Sequence, residues 1–208
     1  MLKKNVLSGQ VYGKVDWVTA NGQEIGMFLR TYEQREPVRC VLRGAEVERM
    51  LANQLLQKGM MVTAQGEYSA RCFQRKDNNL WVSEVLCTAH RIVAESSIEH
   101  RLKGSIYANL KGVIMHWDDS NQTLKTYLNP EPGRPETVTC SILIKNWLNT
   151  MRPEGRERFI GALRKGREFT TSALIEASNY KGRDNTQVPS LMLLPLDRKS
   201  TRLNSSHL

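Results

Sequence analysis

The sequence has few of the residues and none of the motifs on which enzymes and membrane proteins depend. It contains 4 cysteines and 4 histidines in 208 residues, and aromatic side chains make up 7% of the chain. No Walker-type glycine loop, Gly-x-Ser-x-Gly elbow or His-Glu-x-x-His pair is present. The adjacent acids Asp118-Asp119 precede Ser120-Asn121 and predict a turn rather than a nuclease metal site. No apolar run approaches the roughly 18 residues of a membrane-spanning helix. We therefore expect neither an enzyme nor a membrane protein.

The cysteines are isolated from one another and form no Cys-x-x-Cys pair. Cys40 and Cys140 each lie within an apolar, β-like run, which predicts small, buried core residues. The spacing of Cys72, Cys87 and His90 fits no standard zinc finger, so we predict no metal site. The chain begins Met-Leu-Lys-Lys and lacks the roughly 7–15-residue apolar segment of a secretory signal. We therefore expect a cytoplasmic protein.

Positive charge is what the sequence has in excess. The 30 Lys and Arg residues outnumber the 21 Asp and Glu residues, which gives a net charge of +9. An excess of this size indicates an anionic partner, and nucleic acid is the usual one. A membrane surface fits less well, because no basic amphipathic helix accompanies the charge.

The sequence contains one pattern twice. Leu7–Tyr12 recurs as Leu102–Tyr107, and Leu29–Tyr32 recurs as Leu124–Tyr127, both 95 residues later. Val38-Arg-Cys40 recurs as Val138-Thr-Cys140, 100 residues later. From Leu56 onward the offset between the copies is 107 residues, as in Gly59/Gly166 and Asp77/Asp184. Chance similarity would not keep this order over the whole chain. We therefore predict two tandem domains, a first copy at residues 1–94 and a second copy at residues 101–196.

The last segment, residues 197–208, belongs to neither copy. Asp197-Arg-Lys-Ser-Thr-Arg-Leu-Asn-Ser-Ser-His207 resembles the translation of a sequencing adapter. We expect it to be non-native, with the natural chain continuing differently after Leu196, and we leave it out of the predicted fold. Without its three basic residues and one acid, the net charge falls from +9 to +7. The chain is basic in either case.

Within each copy the hydrophobic period predicts three strands, one helix and two further strands. In the first copy the strands are expected at about Val6–Val18, Glu24–Glu33, Val38–Leu42, Met61–Phe73 and Leu80–Val93, with a hairpin turn at Asn21-Gly22 and helical spacing from Val47 to Leu55. The second copy repeats the order, with Pro153 interrupting its helix and Trp147 at a core position. This order predicts an all-β fold with one short helix per domain, built as two tandem OB-folds, which are five-stranded Greek-key barrels. An unrelated α+β sandwich is the main alternative.

Several segments of the first copy, taken in order, resemble bacterial single-stranded DNA-binding proteins. They are Asn5–Val11, Gly44–Leu51, Gln57–Val62, Gly66–Phe73 and Trp81–Val85. The resemblance covers nearly all of the first copy and, more weakly, the second. It implies non-catalytic, sequence-tolerant binding of single-stranded DNA in replication, repair, recombination or plasmid and phage DNA metabolism, with no cofactor. It also implies replication or recombination proteins as partners, and a homodimer that gathers four OB-folds on one DNA.

A general binder of single strands needs flat side chains among cations. Phe73 lies seven residues after Gly66, where the family has a stacking aromatic, and the repeat places Tyr180 at the same point. Tyr32 and Tyr127, preceded by Arg30 and Lys125, are expected at matching positions of the second strand. The expected nucleic-acid-binding residues are the aromatics Phe73, Tyr180, Trp81, Tyr32 and Tyr127 and the cations Arg30, Lys125, Arg39, Arg43, Arg71, Arg75, Lys76, Lys181 and Arg183.

Two other functions fit the same sequence. One is an OB-fold adaptor in a primosome or a DNA-transfer assembly, which would use the duplicated barrel to bind proteins. The other is an RNA-binding regulator, which differs by contacts to the 2′-hydroxyl group.

Overall fold

The structure is a computed structural model that describes residues 5–31, 37–52, 56–95, 106–128, 138–182, 185–196 and 201–203. Its strands are β1 (Val6–Asn21), β2 (Glu24–Arg30), β3 (Val38–Arg43), β4 (Met61–Gln74), β5 (Trp81–Glu95), β6 (Ile106–Val113), β7 (His116–Asp118), β8 (Thr123–Leu128), β9 (Val138–Leu143), β10 (Glu168–Lys181), β11 (Gln187–Pro195) and β12 (Thr201–Leu203). Its helices are α1 (Ala45–Ala52), α2 (Lys145–Asn149) and α3 (Pro153–Gly161). The prediction of a mostly β chain with short helices is confirmed.

Strands β1 to β5 pair into a closed ring, the first ring. Antiparallel pairs join β1 to β2, β2 to β3, β5 to β4 and β4 back to β1, and a parallel pair joins β3 to β5. β1 pairs with both β2 and β4, and so closes the ring, because it is 16 residues long. Its part from Ser8 to Lys14 pairs with β4, and its part from Lys14 to Asn21 pairs with β2. This is the strand order of an OB-fold.

Strands β6 to β11 form the second ring with the same order. β7 pairs with β8, β8 with β9, β9 in parallel with β11, β11 with β10, and β10 with β6. β6 and β7 are two halves of one interrupted strand. At the interruption Ile114 N donates to Arg167 O (2.9 Å), and Met115 N donates to Lys125 O (2.9 Å).

The helix of the second ring is broken where the sequence predicts it. α2 ends at Asn149 and α3 begins at Pro153. Proline lacks a backbone N–H and fits only the first turn of a helix, so it starts a new helix instead of extending the old one. Trp147 packs edge-on against Phe159, with ring centroids 4.5 Å apart, and lies against the core as expected.

The two rings share one continuous sheet, because β1 pairs antiparallel with β6. Gly13 lies opposite Val62 in the first ring, and Gly112 lies opposite Phe169 in the second. These two glycines are therefore equivalent, and the offset of the first strand is 99 residues rather than the predicted 95. With that offset, the seam pair of Gly9 and Ala108 joins a residue to its own counterpart. The seam consequently has approximate two-fold symmetry.

Alternation along the strands fills the interior of each ring with apolar side chains. In the first ring the buried set on β2 and β3 is Ile25, Met27, Leu29, Val38, Cys40 and Leu42. Cys40 and Cys140 are both fully buried, which confirms their prediction as core residues. Burial raises the pKa of both thiols well above its ordinary value, and Cys87 adds to the effect at Cys40.

Gly66 sits at a β-bulge, where the register between β4 and β5 shifts after Gln65. A Cβ added at Gly66 would lie 2.2 Å from Thr88 O and 2.8 Å from Ala89 Cα. Both atoms belong to the backbone and have no room to move aside. Glycine is therefore required where β4 bends around the ring.

β12 lies in the segment that was left out of the predicted fold. It pairs with β10, where Phe169 lies opposite Leu203. In the first ring the matching part of β4 pairs with the end of β5, where Met61 lies opposite Glu95. β12 thus occupies the position that the last residues of β5 take in the first ring, which the sequence did not indicate. Within the described ranges, no helix combines the length and apolar character needed to cross a membrane.

Candidate nucleic-acid interface

One row of paired residues crosses the outer face of the first ring. Trp17 on β1 lies opposite Phe28 on β2, Phe28 opposite Arg39 on β3, and Arg39 opposite Leu86 on β5. Directly paired residues share a face, and these alternate with buried core residues such as Met27. Two aromatic rings and a guanidinium group therefore lie side by side on one exterior surface.

Sequence reasoning missed the aromatic pair of Trp17 and Phe28. Their ring centroids are 5.6 Å apart with planes inclined at 48°, and Trp17 is 51% exposed. The turn after β1 could have indicated this pair. Asn21 Oδ1 accepts the N–H groups of Gln23 (2.9 Å) and Glu24 (2.8 Å), which closes the hairpin with Asn21 opposite Glu24. Counting back from that closure places Trp17 opposite Phe28. The pair of Trp17 and Phe28 could therefore have been predicted from the sequence.

Three predicted cations lie within or beside this row. Arg30 pairs with Asp16 (Nη2 to Oδ2, 2.7 Å) and Arg43 pairs with Glu24 (Nε to Oε2, 2.8 Å). Exposed pairs of this kind contribute only about 0–1 kcal/mol, so a phosphate group can replace the carboxylate at small cost. Arg39, within the row, pairs with no carboxylate of the described residues. The outer face of the first ring is therefore aromatic and cationic.

A row of paired residues also crosses the outer face of the second ring. Tyr127 on β8 lies opposite Thr139 on β9, Thr139 opposite Ser190 on β11, and Ser190 opposite Ser178 on β10. Hydrogen bonds join Thr139 Oγ1 to the Tyr180 hydroxyl (3.1 Å) and Ser178 Oγ to Ser190 Oγ (2.6 Å). Tyr127 is 41% exposed and Tyr180 46% exposed. The structure thus brings two predicted aromatics together on one hydroxyl-rich surface.

The register corrects the predicted match between Arg30 and Lys125. Matching the first strands at the offset of 99 places Trp17, which lies opposite Phe28, at the position of His116, which lies opposite Lys125. The third strands then match at 102 residues rather than the predicted 100, because Arg39 lies opposite Phe28 and Ser141 lies opposite Lys125. The counterpart of Tyr127 is therefore Arg30 rather than Tyr32, and the counterpart of Lys125 is Phe28. The error is a shift of two residues, an even number. Because side chains alternate with a period of two, such a shift leaves the inside-outside pattern unchanged.

Lys125 supplies positive charge beside the second row. It is half-buried on the same face as Tyr127, opposite both His116 and Ser141. The neighbouring turn has the form expected from its sequence, because Asn121 donates to Asp118 from its side chain (2.9 Å) and its backbone (3.1 Å). These bonds hold the pKa of the Asp118 carboxyl below its ordinary value.

Phe73 lies beside a paired cation. The guanidinium carbon of Arg71 is 5.2 Å from the centre of the Phe73 ring, within cation–π range. Arg71 Nε also donates to the carboxylate of Glu84, which is buried. Arg71 therefore orients the ring with a charge that Glu84 already neutralises. Phe73 itself is half-buried on the outer side of β4.

Phe73 and Trp81 do not form one cluster, although one hairpin carries both. Phe73 lies opposite Val82, and Trp81 lies opposite the neighbouring Gln74. Adjacent positions of a strand point to opposite faces, so the two rings lie on opposite sides of the hairpin. Trp81 is 46% exposed.

The remaining predicted cations lie at hairpin ends. Arg75 is half-buried at the end of β4, Lys76 is exposed in the turn that follows, and Lys181 is exposed at the end of β10. Tyr32 and Arg183 lie outside the described residues. Across the part of the chain that the structure describes, no group of three or more His, Cys, Asp or Glu side chains is placed to hold a metal ion.

Comparisons with known proteins identify the fold. No family model and no curated protein sequence matches this chain. Among solved structures, the wild-type single-stranded DNA-binding protein of Thermus aquaticus matches with a TM-score of 0.50 at 14% identity, covering 100% of this chain and 96% of that one. A deletion mutant of the same protein matches with a TM-score of 0.51 at 15% identity, covering 98% and 96%. The chain therefore shares the fold of that protein.

Proposed function

We propose that this chain is a tandem-domain member of the bacterial single-stranded DNA-binding family and binds single-stranded DNA without catalysis and with little sequence preference. One observation carries the proposal: both rings present an outward aromatic side chain beside a cation, Phe28 beside Arg39 in the first ring and Tyr127 beside Lys125 in the second. The family-like segments of the sequence and the fold support it further.

The arrangement of the two rows suits exposed bases. The inclined side chains of Trp17 and Phe28 offer two π-faces on the first ring of strands, and the side chains of Tyr127 and Tyr180 offer two on the second ring of strands. Stacking of a base on an aromatic side chain contributes about 1–3 kcal/mol and accepts any base. Duplex DNA keeps its bases stacked on one another, so it would gain nothing from these rings.

The cations on the two faces act on the phosphates. Arg30, Arg39, Arg43 and Lys125 lie on the same outer faces as the aromatics. If about four cations neutralise phosphates of a single strand, the logarithm of the affinity falls with the logarithm of salt concentration at a slope near −3. The two faces differ in character, because the first carries three arginines and the second is lined by hydroxyl groups.

The test is a titration of the intact chain with dT oligomers of increasing length. Trp17 and Trp81 are exposed, so base stacking should quench tryptophan fluorescence. We expect affinity to rise with oligomer length until both faces are filled, and to exceed the affinity for a duplex of equal length. Equal affinity for duplex, or affinity independent of length, would contradict the proposal.

Matched single variants test the two outer faces. Phe28→Ala and Tyr127→Ala should each weaken binding of a long oligomer, whereas Gln57→Ala, an exposed change before β4, should leave it unchanged. Competition with an RNA oligomer of the same sequence distinguishes a DNA binder from an RNA-binding regulator. If both variants bind DNA as the wild type does, an adaptor function becomes the better account.

A further inference from the structure

Two hairpins, one from each ring, meet outside the seam. The hairpin of β4 and β5 reaches the hairpin of β10 and β11, where Asn179 Nδ2 donates to Ser83 Oγ (2.7 Å) and Cys72 Sγ donates to Gln187 O (3.2 Å). These contacts bring together residues that are about half the chain apart. Any ligand bound between the hairpins therefore touches both copies at once.

A groove of about 350 Å³ lies between the hairpins. This volume is at the lower end of the roughly 300–1,000 Å³ range of small-molecule sites, which suits a single nucleotide. Trp81 and Leu80 line one side, Ala177 and Asn179 the other, and Arg75 also borders the space. The groove thus combines apolar, amide and cationic groups.

The side chains of this groove have directions that follow from the strand register. Ser83 meets Asn179, so the face of β5 that carries Ser83 is turned toward the second ring. Trp81 is two residues away on the same strand and therefore shares that face. The exposed indole and the Asn179 amide accordingly border one space. Phe73, on the opposite face of its hairpin, takes no part in it.

The polar chemistry of the groove matches the edge of a base. The bond to Ser83 uses one N–H of the Asn179 amide, so among the described residues its second N–H and its carbonyl oxygen remain for a ligand. A donor and an acceptor side by side complement the edge of a nucleobase, and an indole complements its face. A phosphate group alone would use neither feature.

We propose that this groove is a subsite that takes one nucleobase of a bound single strand, with the base stacked on Trp81 and its edge on the Asn179 amide. The proposal rests on the proposed function and deepens it, because it names a contact that both copies supply. Trp81 is then a contact residue of the junction and not of the outer face.

The experiment uses the full chain and a dT oligomer of about 30 nucleotides, which spans two OB-folds at up to about 16 nucleotides each. The oligomer carries a single 5-iododeoxyuridine, and adducts formed in ultraviolet light are mapped by mass spectrometry. We expect an adduct on Trp81. Affinity should fall about 5- to 150-fold in Trp81→Ala and about 2- to 10-fold in Asn179→Ala.

Two control variants distinguish direct contact of the Asn179 amide with a base from a role of that amide in holding the hairpins together. Ser83→Ala breaks the same inter-hairpin bond but keeps the amide, so it should bind within about twofold of wild type, and Gln57→Ala should bind as wild type. If Ser83→Ala weakens binding as much as Asn179→Ala, the amide acts only by joining the hairpins, and the subsite is refuted.

The outcomes distinguish this inference from the proposed function. If the wild-type chain binds the oligomer but Trp81→Ala binds equally well, and adducts form only elsewhere, the groove is not a base site while the proposed function stands. If the wild-type chain binds no single strand, the proposed function fails, and the subsite fails with it.

Discussion

Replacing Trp17 with alanine separates a binding role from a structural one. Trp17 is half-exposed, and its main aromatic neighbour is Phe28 at 5.6 Å. An aromatic pair adds about 0.5–1.5 kcal/mol beyond its buried area, so the variant should lose at most about that much stability. Removal of one stacking platform should cost about 1–3 kcal/mol of binding, which is a loss of about 5- to 150-fold in affinity.

The assay is fluorescence polarisation of a labelled dT oligomer at several salt concentrations, with thermal unfolding measured on the same samples. Because Trp17→Ala removes no cation, affinity should fall by the same factor at every salt concentration, and the slope should not change. Trp17→Phe keeps a ring and should stay within a few fold of wild type. The reasoning is refuted if Trp17→Ala binds as the wild type does, or if its loss of affinity simply follows a loss of folded protein.

Three further variants test other parts of the structure. Arg39→Gln should weaken binding and make the salt slope shallower by about 0.7, which repeated titrations would measure; an unchanged slope would exclude a phosphate contact. Gly66→Ala should lower the free energy of unfolding by about 1–3 kcal/mol in urea because its Cβ meets backbone, whereas Gly22→Ala, with nothing within 4 Å, should be nearly neutral. Glu84→Gln should cost about 1–3 kcal/mol in the same assay by removing the charged partner of Arg71, and equal stability would show that the buried pair is dispensable.

The elements of the fold were predictable because their signals are local. Alternation of apolar residues marks β2, Asn21-Gly22 marks the hairpin, and Pro153 marks the break between α2 and α3. Each of these depends on the chemistry of a few adjacent residues. The order of the elements then indicated an OB-fold, which the fold comparison confirms.

Register was harder to predict, because it depends on partners that are distant in the sequence. The match of Leu124-Lys-Thr-Tyr127 with Leu29-Arg-Thr-Tyr32 is two residues out of register, and alternation does not detect an even shift. The bulge between Val15 and Trp17 has no strong sequence signal either. The predicted matches between the first three strands of the two copies were consequently wrong, whereas the nucleic-acid-binding role of the residues stays a prediction.

The faces of the long hairpins were also beyond local reasoning. Phe73 and Trp81 are both near the tip of one hairpin, so the sequence grouped them. Only the pairing of Gln74 with Trp81 shows that the two rings point to opposite sides. The inter-hairpin bond between Asn179 and Ser83 joins residues of different rings, so the sequence of either copy alone does not predict it.

The two-fold symmetry of the seam bears on why a duplicated chain would suit the binding of single-stranded DNA with little sequence preference. Gly9 pairs antiparallel with its counterpart Ala108, so an approximate two-fold axis relates the outer face of the first ring to that of the second. A single strand of DNA has a chemical direction, and a strand that passes straight over both faces meets the second in the opposite sense to the first. Base-edge hydrogen bonds read that direction, whereas a π-face and a point charge do not. Under the proposed function, aromatic rings and cations are thus the side chains that serve both faces equally well.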